Sequence, residues 1–207
     1  APSNDTAKHP TIPEAPAGSE KKVRLRHFTM MKQANRPIVM ITAYDATFGR
    51  IADRSGADMI LVGDSLGMVS YGHENTLNVT MDMMVAHTKA VSGVANRSFV
   101  VADMPYMSYH ASQEDAIRNA GRLMSEGGSS AIKIEGHSGR VLDSIQAIVD
   151  CGIPGMGHVG LVPQSVHALS GFRIQGRDEE EAERILMLAK AQQESGAFAI
   201  VLEAVPE

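Results

Sequence analysis

The sequence predicts an α/β protein whose parallel sheet closes into a (β/α)8 barrel, and three observations carry that prediction. Short apolar runs alternate with amphipathic stretches of helical period. Four of those stretches pass through glycine into the next apolar run, in "SGADMILVG", "EGGSSAIKIEG", "CGIPGMGHVG" and "SGAFAIVLEA", and glycine is the usual left-handed cap of a helix. Polar residues stand at the C-terminal end of nearly every apolar run: Asp45, Asp64, Asp103, Lys133 with Glu135, His158 and Glu203. An open sheet gathers chemistry mainly at one switch point, whereas a barrel brings every strand end to one mouth.

Residues 1–22 mix Pro, Ala, Ser and charge without periodicity and read as a flexible arm; residues 23–207 form the barrel domain. "RLRHFTMMKQANR" predicts a short helix ahead of the first strand. The apolar runs place strands at Ile38 to Thr42, Met59 to Val62, Phe99 to Ala102, Ala131 to Ile134, Ile153 to Gly157 and Ala199 to Leu202. Helical patterns lie between them in "MDMMVAHTKAV", "SQEDAIRNAGRLMSEG", "RVLDSIQAIVDCG" and "DEEEAERILMLAKAQQESG". These make about six βα units, and a complete barrel takes about 250 residues. The chain is therefore expected to be part of a longer protein with two further strands.

With 207 residues, 43% of them hydrophobic, the chain can bury a substantial core. The net charge of -5 is spread along the sequence and leaves no basic face, so nucleic acid is not an expected partner. No apolar run is long enough to span a membrane, and the single cysteine fits a reducing, cytoplasmic compartment. Cys151, at the end of an apolar helix, reads as a small buried filler, and Met81, Met83 and Met84 as core. "RDEEEAER" reads as a solvated helix start with acidic residues at the positive dipole end. His27, His73, His87, His110, His137 and His167 have no metal-ligand spacing.

Side chains two apart on a strand share a face. Val62 with Asp64, Val101 with Asp103, Lys133 with Glu135, Met156 with His158, and Val201 with Glu203 are thus expected to point into the mouth. Asp64, Asp103 and Glu135 would then face one another around one lysine, a repulsive arrangement that a divalent cation relieves. An all-oxygen set favours magnesium over zinc. Ser65 and the N–H groups after it suit a small carboxylate. The glycines around His158 would let a ligand approach. Glu203, after five apolar residues, should be poorly solvated and suited to act as a general base.

Seven blocks in order, "ITAYDATFGRIAD", "ILVGDSLGMVSYGHENTL", "VVADMPYMSY", "AIKIEG", "GHVGLVPQSV", "GFRIQGRD" and "VLEAVP", resemble the ketopantoate hydroxymethyltransferase family. The resemblance implies a TIM barrel of the phosphoenolpyruvate/pyruvate superfamily type. It also implies transfer of a hydroxymethyl group from 5,10-methylenetetrahydrofolate to 3-methyl-2-oxobutanoate through a Mg²⁺-stabilised enolate, the step that commits carbon to pantothenate and coenzyme A. Carried over by motif, Asp64 and Asp103 bind Mg²⁺ with Glu135 in or beside its shell. Ser65 and Lys133, with Asp64, Asp103 and His158 close by, hold the ketoacid, and Glu203 is the base. The family implies a cytoplasmic homodecamer. The alternatives are another Mg²⁺-dependent enolate enzyme, of the phosphoenolpyruvate mutase or C–C lyase kind, and an inactive barrel subunit.

Overall fold

In the computed structural model of the chain, residues 21–136, 138–168, 171 and 173–206 are described. The expected arm therefore lies almost wholly outside the described residues, as does His137. The elements run α1 (Leu25–Gln33), β1 (Met40–Thr42), α2 (Ala46–Arg54), β2 (Met59–Val62), α3 (Leu66–Val69), α4 (Met81–Ser92) and β3 (Phe99–Asp103). They continue with α5 (Gln113–Ser125), β4 (Ala131–Lys133), α6 (Gly139–Asp150), β5 (Gly155–Gly160), a 3-10 turn at Pro163–Ser165, α7 (Glu179–Glu194) and β6 (Ala199–Glu203). All six strands pair in parallel and in sequence order, β1 to β6, which makes a curled sheet with β1 and β6 at its edges.

Side-chain capping sets where the helices start. Asp45, Thr80, Ser112, Ser138 and Asp178 each accept a hydrogen bond from a backbone N–H in the first turn of α2, α4, α5, α6 and α7. Asp45 is thus spent as a helix cap and is not part of the mouth. Gly56, Gly128, Gly152 and Gly196, in the four junctions expected from the sequence, all have positive φ.

Strand alternation divides the apolar residues into two layers. Ile60, Val62, Val100, Ala102, Ile132 and Ile134 face outward onto the helices, where they pack with Met84, Leu123, Ile145 and Ile148. Met59, Phe99, Val101, Ala131 and Met156 face inward, and α1 closes their end with Phe28, whose ring meets Phe99 edge-on at 5.2 Å.

β2 has the expected bounds; β3 and β6 run one residue further and β4 stops one residue sooner, and the start shifts by two residues in the other two strands. β1 starts at Met40, because the Val39 N–H is taken by the Asp58 carboxylate at 3.1 Å and not by a ladder partner. β5 starts at Gly155, because the Ile153 N–H closes the end of α6 on the Ile148 carbonyl and Pro154 has no N–H to give. Cys151 is exposed at that helix end and is not a buried filler. No helix among the described residues is long and apolar enough to cross a membrane.

Two glycines set how β5 meets its neighbours. A Cβ at Gly157 would lie 2.1 Å from Gln192 Oε1, and one at Gly160 would lie 2.3 Å from the Glu203 carbonyl oxygen. Gln192 uses its space to donate from Nε2 to the Gly136 carbonyl at 2.6 Å and the His158 carbonyl at 3.2 Å. Gly160, with φ +92°, meets backbone that cannot move aside. Gly160→Ala should therefore cost roughly 2–3 kcal/mol in urea denaturation. Gly152→Ala, at φ +82° but with open space around its Cβ, should cost only about 1 kcal/mol.

Candidate active site

Asp103 and Lys133 are register partners on β3 and β4, so their side chains stand together inside the curl. Lys133 Nζ lies 3.2 Å from Asp103 Oδ1 and 3.9 Å from Glu135 Oε2, and all three residues are buried. Asp64 joins them through its own N–H, which donates to Asp103 Oδ2 at 3.1 Å. It does not arrive there by strand alternation. Val62 faces outward, β2 ends, and the chain turns at Gly63, where a Cβ would be 2.8 Å from Ser65 Oγ. The turn reverses the parity and brings Asp64 to the inner side.

His158 and Glu203 complete the constellation. His158 Nδ1 is 3.2 Å from Glu135 Oε2 and 3.3 Å from Lys133 Nζ, while Nε2 is 3.2 Å from Glu203 Oε2 in a close but poorly aligned contact. Glu203 pairs in register with Gly160, two residues beyond His158, and so stands on the same face one pleat further along. Its side chain is 43% exposed, because β6 is an edge of the sheet; the poorly solvated carboxylate expected from "AIVLE" is not what forms. Nor do the glycines around His158 open a path for a ligand, since Gly157 admits Gln192 and Gly160 admits the β6 backbone.

These groups line one cavity of about 300 Å³ at the C-terminal ends of the strands, with Ser65 and Thr76 at its wall and Leu61 and Val201 below. The Ser65 hydroxyl bonds the Tyr44 hydroxyl at 2.8 Å. The N–H groups of Leu66, Gly67 and Met68 are already used within the turn, on Gly63, Asp64 and Ser65, which leaves the side chain of Ser65 as the anion contact there.

Sequence reasoning missed Tyr44, Thr76 and Gln164. Gln164, 7% exposed, donates from Nε2 to Asp64 Oδ2 at 2.8 Å and to the Met104 carbonyl at 2.9 Å, and its backbone N–H bonds Glu135 Oε1. The signal was its place in "GHVGLVPQSV", but an amide in a polar loop carries no chemistry that sequence alone picks out.

Burial, then the negative charges of Asp103 and Glu135, push Asp64 up to about 7. Burial also raises Asp103, with Lys133 opposing and Glu135 reinforcing. Burial works against the charge of Glu135 too, but the His158 hydrogen bond and Lys133 outweigh it, and its carboxyl is held below the usual range. Burial would neutralise Lys133, yet Asp103, Glu135 and Asp64 surround it and hold it firmly charged. For His158, burial and Lys133 oppose protonation, and the carboxylates of Glu135 and Glu203 prevail and raise it.

The donors fit a hard cation in a limited way. Asp103 Oδ1 is buried, and its one close partner is the Lys133 ammonium at 3.2 Å, an ion-pair contact without hydrogen-bond alignment; the nearby donors are carboxylate oxygens. Among the described residues no three His, Cys, Asp or Glu side chains are grouped to hold an ion alone. Asp64 meets Asp103 through its backbone N–H and keeps Oδ1 without a hydrogen bond from the described residues; Asp103 is held by that N–H and by Lys133, and both oxygens of Glu135 are engaged by Gln164 and by His158. The pair of aspartates is the ligand set that fits, with Glu135 behind it.

Residues 22–207 match the family model described as ketopantoate hydroxymethyltransferase. The 3-methyl-2-oxobutanoate hydroxymethyltransferase of Thermoanaerobacter sp. (strain X514) is 51% identical over 90% of this chain and 68% of its own length. That of Geobacillus kaustophilus (strain HTA426) is 52% identical over 87% of this chain and 64% of its own. The chain thus spans about two thirds of the length of these relatives. Among solved structures, phosphonopyruvate hydrolase complexed with oxalate and Mg²⁺ superposes with a TM-score of 0.66 at 14% identity, covering 87% of this chain and 62% of that one. A 2,3-dimethylmalate lyase of the phosphoenolpyruvate mutase/isocitrate lyase superfamily gives 0.61 at 17%, covering 85% and 62%. The fold is shared with those enzymes, and the sequence with the hydroxymethyltransferases: the chain belongs to the ketopantoate hydroxymethyltransferase family.

Proposed function

We propose that this chain carries the active site for transfer of a hydroxymethyl group from 5,10-methylenetetrahydrofolate to 3-methyl-2-oxobutanoate, giving 2-dehydropantoate. The observation that carries this reading is the convergence of Asp64, Asp103, Lys133, Glu135, His158 and Glu203 on one cavity. The phosphoenolpyruvate mutase and lyase reading is the weaker one, since those enzymes resemble the chain in fold alone. We also propose, on the family resemblance, that the sheet belongs to a closed (β/α)8 barrel and that the protein works as a cytoplasmic homodecamer.

Asp64 and Asp103 would hold Mg²⁺, and when bound it supplies Lewis-acid polarisation of the keto group of the substrate. Lys133 and the Ser65 hydroxyl hold the ketoacid carboxylate. Lys133, kept charged by the acids around it, also offsets negative charge that develops on the substrate. Glu203 stands across the cavity from that pair and takes the C3 proton. His158 touches Glu203 on one side and Glu135 on the other, so it orients the base and shares the proton. The carbanion so formed bonds to the methylene carbon, which exchanges its two C–N bonds for one C–C and one C–O bond. Water supplies the hydroxyl, and the C3 proton with the second proton of water returns to the folate nitrogens.

Deuterium exchange at C3 of 3-methyl-2-oxobutanoate, followed by NMR without folate, tests the proton-transfer step by itself. Exchange should require added Mg²⁺, cease with excess chelator and be lost in Asp103→Ala; exchange untouched by chelation would remove the cation from the step. Glu203→Gln should slow exchange by roughly 10²- to 10⁴-fold with little change in ketoacid affinity. An unchanged rate would assign the base elsewhere.

The raised Asp64 carboxyl also predicts how metal-free stability depends on pH. A group whose folded pKa lies above its ordinary value of 3.8 stabilises the fold below that pH and loses its contribution as pH rises through about 7. Stability of the metal-free protein should fall across that window. Asp64→Asn, measured by urea denaturation at each pH, should flatten the fall by up to about 4 kcal/mol.

A further inference from the structure

We propose that Gln164 is the positioning residue that sets which way the Asp64 carboxylate faces, and thereby makes it a cation ligand; the second half rests on the reading of Asp64 and Asp103 given above. Gln164 sits in the turn Pro163–Ser165 that follows β5, beside Pro163, which lines the cavity. The side chain of Gln164 has no freedom left. Nε2 carries two hydrogens and has two acceptors, Asp64 Oδ2 at 2.8 Å and the Met104 carbonyl at 2.9 Å. Because a main-chain carbonyl can only accept, the amide cannot be flipped. Oε1 then faces the Tyr109 hydroxyl at 2.6 Å, which shares its single proton between Oε1 and the Glu135 carbonyl at 2.8 Å, and Tyr109 is itself packed in the core, 1% exposed.

One oxygen of Asp64 is therefore pinned. The other, Oδ1, takes no hydrogen bond from the described residues, and Asp64 lines the cavity. Holding a buried carboxylate by a neutral donor has a particular merit here. An arginine or lysine at position 164 would add charge and compete with a cation, whereas an amide fixes direction and leaves the negative charge in place. The same residue reaches Glu135 through a different group, its backbone N–H. Asp64 is thus held by the side chain and Glu135 by the main chain, so a substitution can release the first without the second.

Gln164→Met tests this in the full chain, because it keeps the volume and the backbone N–H and removes only the amide. The readouts are Mn²⁺ affinity by electron paramagnetic resonance and a metal-free crystal structure of the variant. Mn²⁺ should bind at least 10-fold more weakly, with Asp64 rotated away from its present direction and Glu135 still on the Gln164→Met backbone N–H. Tyr109→Phe removes the support behind Oε1 together with the bond to the Glu135 main-chain carbonyl; it should weaken Mn²⁺ in the same sense by about 2- to 5-fold, with the Glu135 carboxylate unmoved in the variant structure. A role in stability alone would lower the unfolding midpoint and leave the affinity of the folded protein as it was. Affinity within 2-fold of the parent, or an unmoved Asp64, would overturn the proposal. If the parent chain binds no Mn²⁺, the cation reading fails, and the direction of Asp64 in the variant structure decides the role of Gln164 unaided. If Gln164→Met does not fold, Tyr109→Phe decides, and unweakened binding there counts against the proposal.

Discussion

Everything in this half-barrel is arranged around a lysine that is buried against an aspartate. Lys133 and Asp103 are register partners on adjacent parallel strands, which fixes their separation by the spacing of the strands and not by flexible side chains. A buried ion pair of this kind is a poor source of stability, because desolvation takes back most of its attraction. Its value is that each partner makes the other's charge persist where water would otherwise be needed. Glu135 and Asp64 then add two further carboxylates to a site whose basic groups, among the described residues, are Lys133 and His158. The inside of the curl is left short of positive charge, and burial with the charges of Asp103 and Glu135 pushes the Asp64 carboxyl up to about 7. That deficit is also what would suit the cavity to a cation.

The sheet confines this charge to one end. Below the mouth, the inward positions of β2, β3, β4 and β5 carry Met59, Phe99, Ala131 and Met156, and Phe28 of α1 seals them. Charge cannot be solvated from beneath, so every polar group in the mouth must find partners sideways or upward. Gln164, Tyr109 and the backbone carbonyls of Met104 and Glu135 supply them. The buried network is dense for that reason, and its members come from loops after four different strands.

Strands and helices were legible because period-2 and period-3.6 patterns survive in short segments, and because glycine and Asp/Ser/Thr caps mark the joints between them. Asp103, Lys133, Glu135 and His158 were legible for the same reason, since they continue regular strands. Asp64 was placed correctly by a rule that does not apply to it: its strand ends at Val62, and a glycine turn does what alternation was expected to do. The glycines beside His158 were misread because a sequence shows that space is needed without showing what fills it. Gln192 from α7, 34 residues along, fills it. Long-range partners of this sort, Gln164 reaching back 100 residues to Asp64 among them, leave no local periodicity. α3, with four residues, is too short to have one.

Glu203 shows how topology changes a residue whose sequence context is unambiguous. Five apolar neighbours argue for a dry carboxylate, and the strand they form is indeed regular and parallel to β5. Burial, though, comes from both flanks of a strand, and β6 has one. Leu202, its outward neighbour, is 59% exposed, and Met40 and Ile41 on β1 are each 37% exposed at the opposite edge. Both edges of the curl are thus apolar and open, as they would be if further strands were to join them. Closing the barrel would remove water from Glu203 and leave its contact to His158 as its main partner. On this argument the acid cluster of β3 and β4 is buried within the curled sheet, whereas the burial of Glu203 depends on what lies beside β6.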